Sequence, residues 1–446
     1  MIRRLINKVL GRKVASGPRI LPLETHGIRR EQVPSCALKT TQSLRGAGYS
    51  AFIVGGAVRD LLLGREPKDF DVATDATPEQ VKRVFRRARL VGRRFQIVHV
   101  YCGGDLIEVT TYRAATPPTE DEEDDSRVTA EDGRLLRDNV FGNQEEDAAR
   151  RDFTVNALYY DPERQEVWDW HGGVDDARNK VLRMIGDPGR RFREDPVRML
   201  RAARFQAKLG FELHPATAES LAQRRALLGE VPPARLFDEL IKLLMTGHAL
   251  AAYEALRQHH LLEQLLPDTA AAVAADERGD RFLRQALINT DARIAAQQRV
   301  TPAFLFAALL WPPIAAAITQ RPARASETPA LSEAAAEIIA KAVRRVAIPR
   351  RFSTAAREIW ELQPRLETPS RGTAEQMLEH PRFRAAYDFL LLREQSGEEL
   401  GGMGAWWTHF QAASAAQREA MVAELQATPK RRRPRRRRRA STPAVE

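Results

Sequence analysis

The chain has 446 residues, 43% hydrophobic and 29% charged, enough for two or three domains and more than one core. Two cysteines, Cys36 and Cys102, exclude a disulfide framework and a four-thiolate metal site and point to a reducing, cytoplasmic setting. No apolar run approaches the roughly 20 residues of a membrane span, so integral membrane association is not expected, and no secretory signal is visible. The net charge of +11 is concentrated at the end of the chain, where Lys430, Arg431, Arg432, Arg433, Arg435, Arg436, Arg437, Arg438 and Arg439 supply nine positive charges. Such a run suits contact with a polyanion, while the rest of the chain is nearly balanced.

Taken in chain order, Met1–Lys13 is a short basic amphipathic stretch that frays, and residues 1–31 as a whole read as flexible. A helical pattern runs from Ala37 to Leu44 and ends at Gly46 and Gly48. Ala51–Val54 reads as a short apolar strand stopped by Gly55 and Gly56, and Ala57–Leu63 as a helix closed by Gly64. Phe70 and Val72 mark the next strand. Thr77-Pro78-Glu79-Gln80 opens a helix with an N-cap, a proline at the first position and a capping box. Strands follow at Ile97–Tyr101 and Leu106–Tyr112, and this order predicts a small α/β domain over residues 32–170. Ala114–Gly133, with Pro117-Pro118 and the acidic run Glu120–Asp125, reads as a flexible surface loop. Helical patterns dominate from Pro196 to about Leu425, and residues 429–446 read as disordered.

Asp69-Phe70-Asp71 falls at the start of a predicted strand, where alternation puts both carboxylates on one face and Phe70 on the other. Two such carboxylates suit magnesium, a hard cation held by carboxylates, phosphates and water, and paired ions stabilise the attacking and leaving oxygens of phosphoryl transfer. About ten residues upstream, Gly55 and Gly56 end a strand and open a helix. Without side chains they let backbone N–H groups approach a triphosphate, and Arg59 can add a phosphate contact. A third carboxylate would complete the site. Glu108, on a strand in register with Thr110 and Tyr112, and Asp152, after Arg150-Arg151, both qualify, and periodicity does not choose between them.

Gly55-Gly56-x-x-Arg59-Asp60, Asp69-x-Asp71, Arg150-Arg151-Asp152-Phe153-Thr154-Val155-Asn156-Ala157 and Glu194-Asp195-Pro196-x-Arg198 occur in this order. Together they resemble the class II nucleotidyltransferases, which include bacterial poly(A) polymerases and CCA-adding enzymes. The resemblance implies a polymerase-β-like α/β head, a helical neck over 171–260 and a helical body and C-terminal region over 261–428. It implies two Mg2+ ions on Asp69 and Asp71, nucleotide contacts from Gly55, Gly56, Arg59 and Arg151, and a catalytic role for Asp152, placed ahead of Glu108. Asp195, Arg198, Arg201 and Arg204, spaced by three, form one slowly drifting row on a helix, which in the family faces the incoming base. An aspartate accepting from an exocyclic amine beside an arginine donating to a ring nitrogen fits adenine and cytosine and rejects guanine and uracil. How ATP is chosen over CTP is not readable from that pair.

Within the family, Leu90-Val91-Gly92-Arg93-Arg94-Phe95-Gln96-Ile97-Val98-His99-Val100 resembles a stretch that separates poly(A) polymerases from CCA-adding relatives. Val231–Phe237 and His380–Asp388 resemble poly(A) polymerase segments as well. A polyarginine tail suits a sequence-tolerant grip on RNA better than shape recognition of tRNA. The implied function is therefore template-independent addition of AMP from ATP to RNA 3′ ends, with RNA-decay or RNA-chaperone proteins as candidate partners. A CCA-adding tRNA nucleotidyltransferase and a catalytically dead RNA-binding adaptor are the alternatives.

Overall fold

The computed structural model describes residues 17–92, 96–114, 127–129, 135–138, 140–320, 327–370 and 372–427. They form two compact units, one ending at Pro267 and the other starting at Asp268.

The first unit is built on an eight-stranded mixed sheet. Its strands are β1 (Arg19–Leu21), β2 (Ala51–Val54), β3 (Asp71–Thr74), β4 (Ala88–Val91), β5 (Ile97–Cys102), β6 (Asp105–Thr111), β9 (Leu158–Asp161) and β10 (Glu166–Asp169). Between β6 and β9 in sequence, β7 (Arg127–Thr129) and β8 (Leu135–Asp138) make a separate hairpin. β11 (Val181–Leu182) and β12 (Glu212–Leu213) make a short parallel pair. The sheet order is β1-β10-β9-β2-β3-β6-β5-β4, antiparallel except where β3 and β6 run parallel.

Alternation along these strands separates two faces. Ile53, Val72, Val98, Val100, Ile107, Val109, Leu158 and Tyr160 point one way, into a core shared with Ala37 and Leu44 of the helix Ser35–Gly46 and Val81 of the helix Pro78–Val84. The second helix starts as its sequence demands: Thr77 accepts from the Gln80 N–H, Gln80 reaches back, and Pro78 occupies the first turn. Phe52, Val54, Ala73, Tyr112 and Tyr159 point the other way into a smaller cluster. Asp71 of β3 and Glu108 and Thr110 of β6 lie on this second face as well, in register with Val54 and Ala73.

Four expectations need correction. Residues 17–31 are not a flexible segment, because Arg19–Leu21 pairs with β10 at the sheet edge and a short helix follows at Leu23–His26. The acidic loop is interrupted by the β7–β8 hairpin. Cys36 and Cys102 are paired, with Cα atoms 5.7 Å apart. Finally, the helix Pro302–Gln320 is 19 residues long and contains an 18-residue window with a mean hydropathy of 1.7, so one apolar run does approach the length of a span, but 56% of that window is buried inside the protein.

In the second unit that apolar helix is the core element, with most of its residues from Leu305 to Ile314 buried. Phe304 and Trp311 from it, with Phe282 of the helix Glu277–Ala295, surround Phe389 at ring-centroid distances of 6.0, 5.4 and 5.4 Å. The indole N–H of Trp360 donates to the Ala307 carbonyl at 3.1 Å. A satellite core gathers Leu366, Phe383, Trp407 and Phe410. Above it the buried guanidinium of Arg393 is satisfied by Glu367 at 2.6 Å and Glu398 at 2.5 Å.

Candidate active site

Directly opposite residues across β4, β5, β6 and β3 are Arg89, His99, Glu108 and Asp71, and the row continues through Val54 in β2 to Tyr159 in β9. Cross-strand partners share a face. The Glu108 and Asp71 carboxylates therefore stand side by side, on strands about 4.8 Å apart. Burial pushes the Asp71 carboxyl up to about 6; Glu108 and Asp69 push the same way, and Arg151 opposes them. Asp69 lies just before β3 rather than within it, and it is exposed. Among the described residues no three His, Cys, Asp or Glu side chains close a metal cage by themselves.

Beside this pair, Gly55 turns the chain from β2 into the helix Gly56–Leu62 with φ +77°, a conformation that strains any residue with a Cβ. A Cβ there would also stand 3.4 Å from Nη1 of Arg151. Arg151 is fixed by Asp147, whose Oδ2 accepts from Nε at 3.2 Å and Nη2 at 3.0 Å, and by the Tyr159 hydroxyl 3.1 Å from Nε. Burial alone would lower its pKa, but Tyr159 and Asp147 outweigh it and keep the cation. Arg59 behaves differently from the expectation. It is 2% exposed, its Nε and Nη2 donate to Asp60 Oδ1 at 2.8 and 2.7 Å, and its Nη1 donates to Asn156 Oδ1 at 2.5 Å. In this arrangement it braces the helix Gly56–Leu62 against Asn156.

Next to these groups opens a cleft of about 310 Å³ lined by Thr110, Arg113, Asp147, Arg150, Arg151, Asp152, Asn156, Glu194, Asp195, Arg198 and Arg201. Asp152 lines it between two arginines: Oδ1 accepts from Arg198 Nε at 2.8 Å, and Oδ2 is 2.8 Å from Arg201 Nη2 as an ion pair without hydrogen-bond alignment. Burial would raise its carboxyl, but Arg201 and Arg198 dominate and hold it below the usual carboxylate range. Arg198 Nη1 donates to the Arg191 carbonyl at 2.8 Å and to Glu194 at 3.2 Å, while its Nη2 has no hydrogen bond among the described residues. Asp195 Oδ2 accepts from Arg235 Nη2 at 3.0 Å. Its Oδ1 is buried with no hydrogen-bond partner among the described residues.

Residues 51–183 match the Poly A polymerase head domain family, 210–273 the Probable RNA and SrmB- binding site of polymerase A, and 323–440 the Polymerase A arginine-rich C-terminus. Poly(A) polymerase I of Salmonella typhi is 46% identical over 94% of this chain and 92% of its own length. The Escherichia coli O157:H7 protein of the same name is 44% identical over 96% and 93%. The chain belongs to the poly(A) polymerase I family. Its activity is that of a template-independent polynucleotide adenylyltransferase, which extends RNA 3′ ends with AMP. The CCA-adding enzyme of Bacillus subtilis is a more distant relative, 40% identical over only 53% of this chain and 56% of that one. Among solved structures, the Bacillus stearothermophilus CCA-adding enzyme in complex with CTP superposes with a TM-score of 0.53 at 28% identity, over 88% of this chain and 81% of that one.

For this polymerase, the structure gathers Arg151, Asp152, Asp195, Arg198 and Arg201 in one cleft and sets Asp71 and Glu108 beside each other on the sheet. Arg204 is not brought into the cleft: its Nε lies 3.6 Å from Glu239 and its guanidinium stacks over Phe205 at 4.8 Å. A spacing of three drifts around a helix of 3.6 residues per turn, and by the fourth position the row has left the cleft. The basic tail from Lys430 to Arg439 lies outside the described residues. Sequence reasoning missed Asp147 and Arg235. Asp147 stands four residues before Arg151, a pairing visible in helical spacing. Arg235 lies 40 residues from its partner, and no local pattern links the two.

Proposed function

We propose that this polymerase transfers AMP from ATP with two divalent ions held by Asp71, Glu108 and Asp69, and that it reads the base with Asp195 and Arg198. The observation that carries the base-reading role is the unpartnered Asp195 Oδ1, a buried acceptor left in the cleft. A buried polar atom without a partner costs free energy unless a ligand satisfies it. Adenine's N6 amine can donate to that oxygen while its ring N1 accepts from the unused Nη2 of Arg198. Guanine and uracil present the reverse pattern. Arg235 holds the other Asp195 oxygen, and Arg191, Glu194 and Asp152 hold Arg198, so both groups are ordered before the nucleotide arrives.

The register of β3 and β6 supports Glu108, not Asp152, as the third carboxylate. Glu108 neighbours Asp71, whereas both Asp152 oxygens face arginines. Asp152 then serves as the frame of the base-reading arginines. Divalent ions bound to Asp71, Glu108 and Asp69 would stabilise charge on the attacking and leaving oxygens of the transferred phosphoryl group. Arg151, beside the Gly55 turn, is placed to meet the phosphates of ATP. The RNA 3′ hydroxyl approaches over the open part of the sheet, the basic tail adds a sequence-tolerant grip on RNA, and the work falls in cytoplasmic RNA decay.

The test uses purified protein, a short unstructured RNA, Mg2+ and each nucleoside triphosphate singly, with a tRNA alongside. Long tails with ATP alone are expected. Short additions of CTP then ATP confined to tRNA ends would mean CCA addition, and binding without extension would mean an adaptor. Arg198→Ala should lower kcat/KM for ATP and narrow the ratio of ATP to GTP by about tenfold or more, the loss of one buried charged hydrogen bond. An unchanged ratio would remove the pair from base recognition.

A further inference from the structure

The stretch Leu90–Val100 has no role in the site described above, yet part of it lies one strand away. His99 in β5 is the direct cross-strand partner of Glu108 in β6. Its Nε2 is 3.5 Å from Glu108 Oε1 and is buried with no hydrogen-bond partner among the described residues. Its neighbours Val98 and Val100 are 1% and 2% exposed in the sheet core, so the strand that carries the imidazole is fixed. The Glu108 side chain, by contrast, is 47% exposed and has rotamer freedom that a metal ligand must lose.

We infer that His99 is a positioning residue for the Glu108 carboxylate, donating from Nε2 to Oε1 and leaving the second oxygen of Glu108 free beside Asp71. The inference rests on the reading of Glu108 as a carboxylate that serves the divalent ions. A small rotation of the half-exposed Glu108 closes the 3.5 Å gap to hydrogen-bonding distance, satisfies the buried ring nitrogen and fixes the carboxylate in one step. Partners of this outer kind orient metal ligands, and their loss typically costs about 10–100-fold in metal affinity or activity. The stretch around His99 thereby acquires a physical role: its β5 segment delivers a fixed donor to the strand next to the active carboxylates.

The experiment compares wild type with His99→Leu, which keeps bulk and removes the donor, His99→Gln, which keeps an N–H donor, Glu108→Ala, and the double variant His99→Leu/Glu108→Ala. Two quantities are read: Mn2+ affinity by electron paramagnetic resonance, with a non-hydrolysable ATP analogue present, and kcat and KM for ATP and RNA. His99→Leu should weaken Mn2+ binding and lower kcat by about tenfold without changing KM for RNA. His99→Gln should restore most of both, and the leucine substitution should add nothing in the Glu108→Ala background. The inference is overturned if His99→Leu matches wild type while Glu108→Ala is impaired, if glutamine rescues no better than leucine, or if the leucine effect persists undiminished in the double variant. Wild-type Mn2+ affinity and kcat in Glu108→Ala would instead overturn the assignment of Glu108, and the inference with it.

Discussion

Replacing Asp152 with asparagine separates two readings of that residue. As the frame of the arginine pair, Asp152 supports stability and base choice; as a metal ligand, it would support ion binding. The Arg198–Asp152 pair is buried, with side chains 10% and 9% exposed, and breaking a buried pair typically costs about 3–5 kcal/mol. Asparagine keeps an acceptor for Arg198, and Glu194 still holds the guanidinium from 3.2 Å. The Arg201 side chain is 38% exposed, so solvent screening leaves its pair little weight. The low end, about 3 kcal/mol, is therefore expected, or a fall in Tm of about 6–12 °C for a unit of this size. The folded carboxyl titrates below its usual range, so its stabilisation is complete above about pH 4 and is lost as pH falls through the folded pKa. The Tm gap between wild type and Asp152→Asn should be flat from neutral pH down to about 4 and should close below it. Thermal melts across that range, nucleotide selectivity and Mn2+ affinity are the assays. A variant with wild-type Tm and selectivity but lost Mn2+ binding would refute the frame and return Asp152 to the metals.

Asp71→Asn and Asp69→Ala should each lower kcat by more than tenfold, a cost above about 1.4 kcal/mol, while RNA binding measured by filter retention stays near wild type. Because the Asp71 carboxyl is pushed up to about 6 before a cation binds, Mn2+ affinity should weaken as pH falls through that value, since the proton and the ion compete for one carboxylate. Asp71→Asn should remove that dependence. Deleting Pro429–Glu446 should leave KM for ATP unchanged and make the plot of log K for RNA against log salt shallower by several units, at about 0.7 per phosphate neutralised. Parallel lines would assign the nine cations to another partner.

The parts of the site that were legible in the sequence are those whose geometry is local. Gly55 must take a positive φ between an apolar strand and a helix, and the glycine pair announces it. Thr77-Pro78-Glu79-Gln80 caps its helix as its side chains dictate. Asp69 was expected to share a strand face with Asp71, but the strand starts only at Asp71, so alternation does not place it. That Glu108 stands opposite Asp71 was not legible, because it depends on pairing β3 with β6 across 37 residues, and strand alternation predicts a face but not a partner. The β1 edge strand was hidden for the same reason: three residues carry almost no periodic signal, and β1 is held by β10.

Burial gives several of the arginines internal partners that their motifs do not announce. Arg59 and Arg204 belong to motifs that suggest ligand contact, but the fold gives each an internal anion, Asp60 for one and Glu239 for the other. A buried guanidinium needs such a partner, since desolvation without one is prohibitive. The same rule organises the cleft. Asp152 follows the helix Gln144–Arg150, Arg198 and Arg201 lie on Val197–Leu209, and Arg235 on Pro233–Leu244 reaches back to Asp195. Each of these cleft pairs joins residues from two different segments. The Asp195 oxygen is among the cleft atoms that these ion pairs leave without a hydrogen-bond partner among the described residues, as are Asp152 Oδ2 and Arg201 Nε. In the proposed reading, the edge met by adenine is set by the donors and acceptors that these pairs leave on Asp195 and Arg198, and altering a frame residue such as Arg235 should change base choice without that residue touching the base.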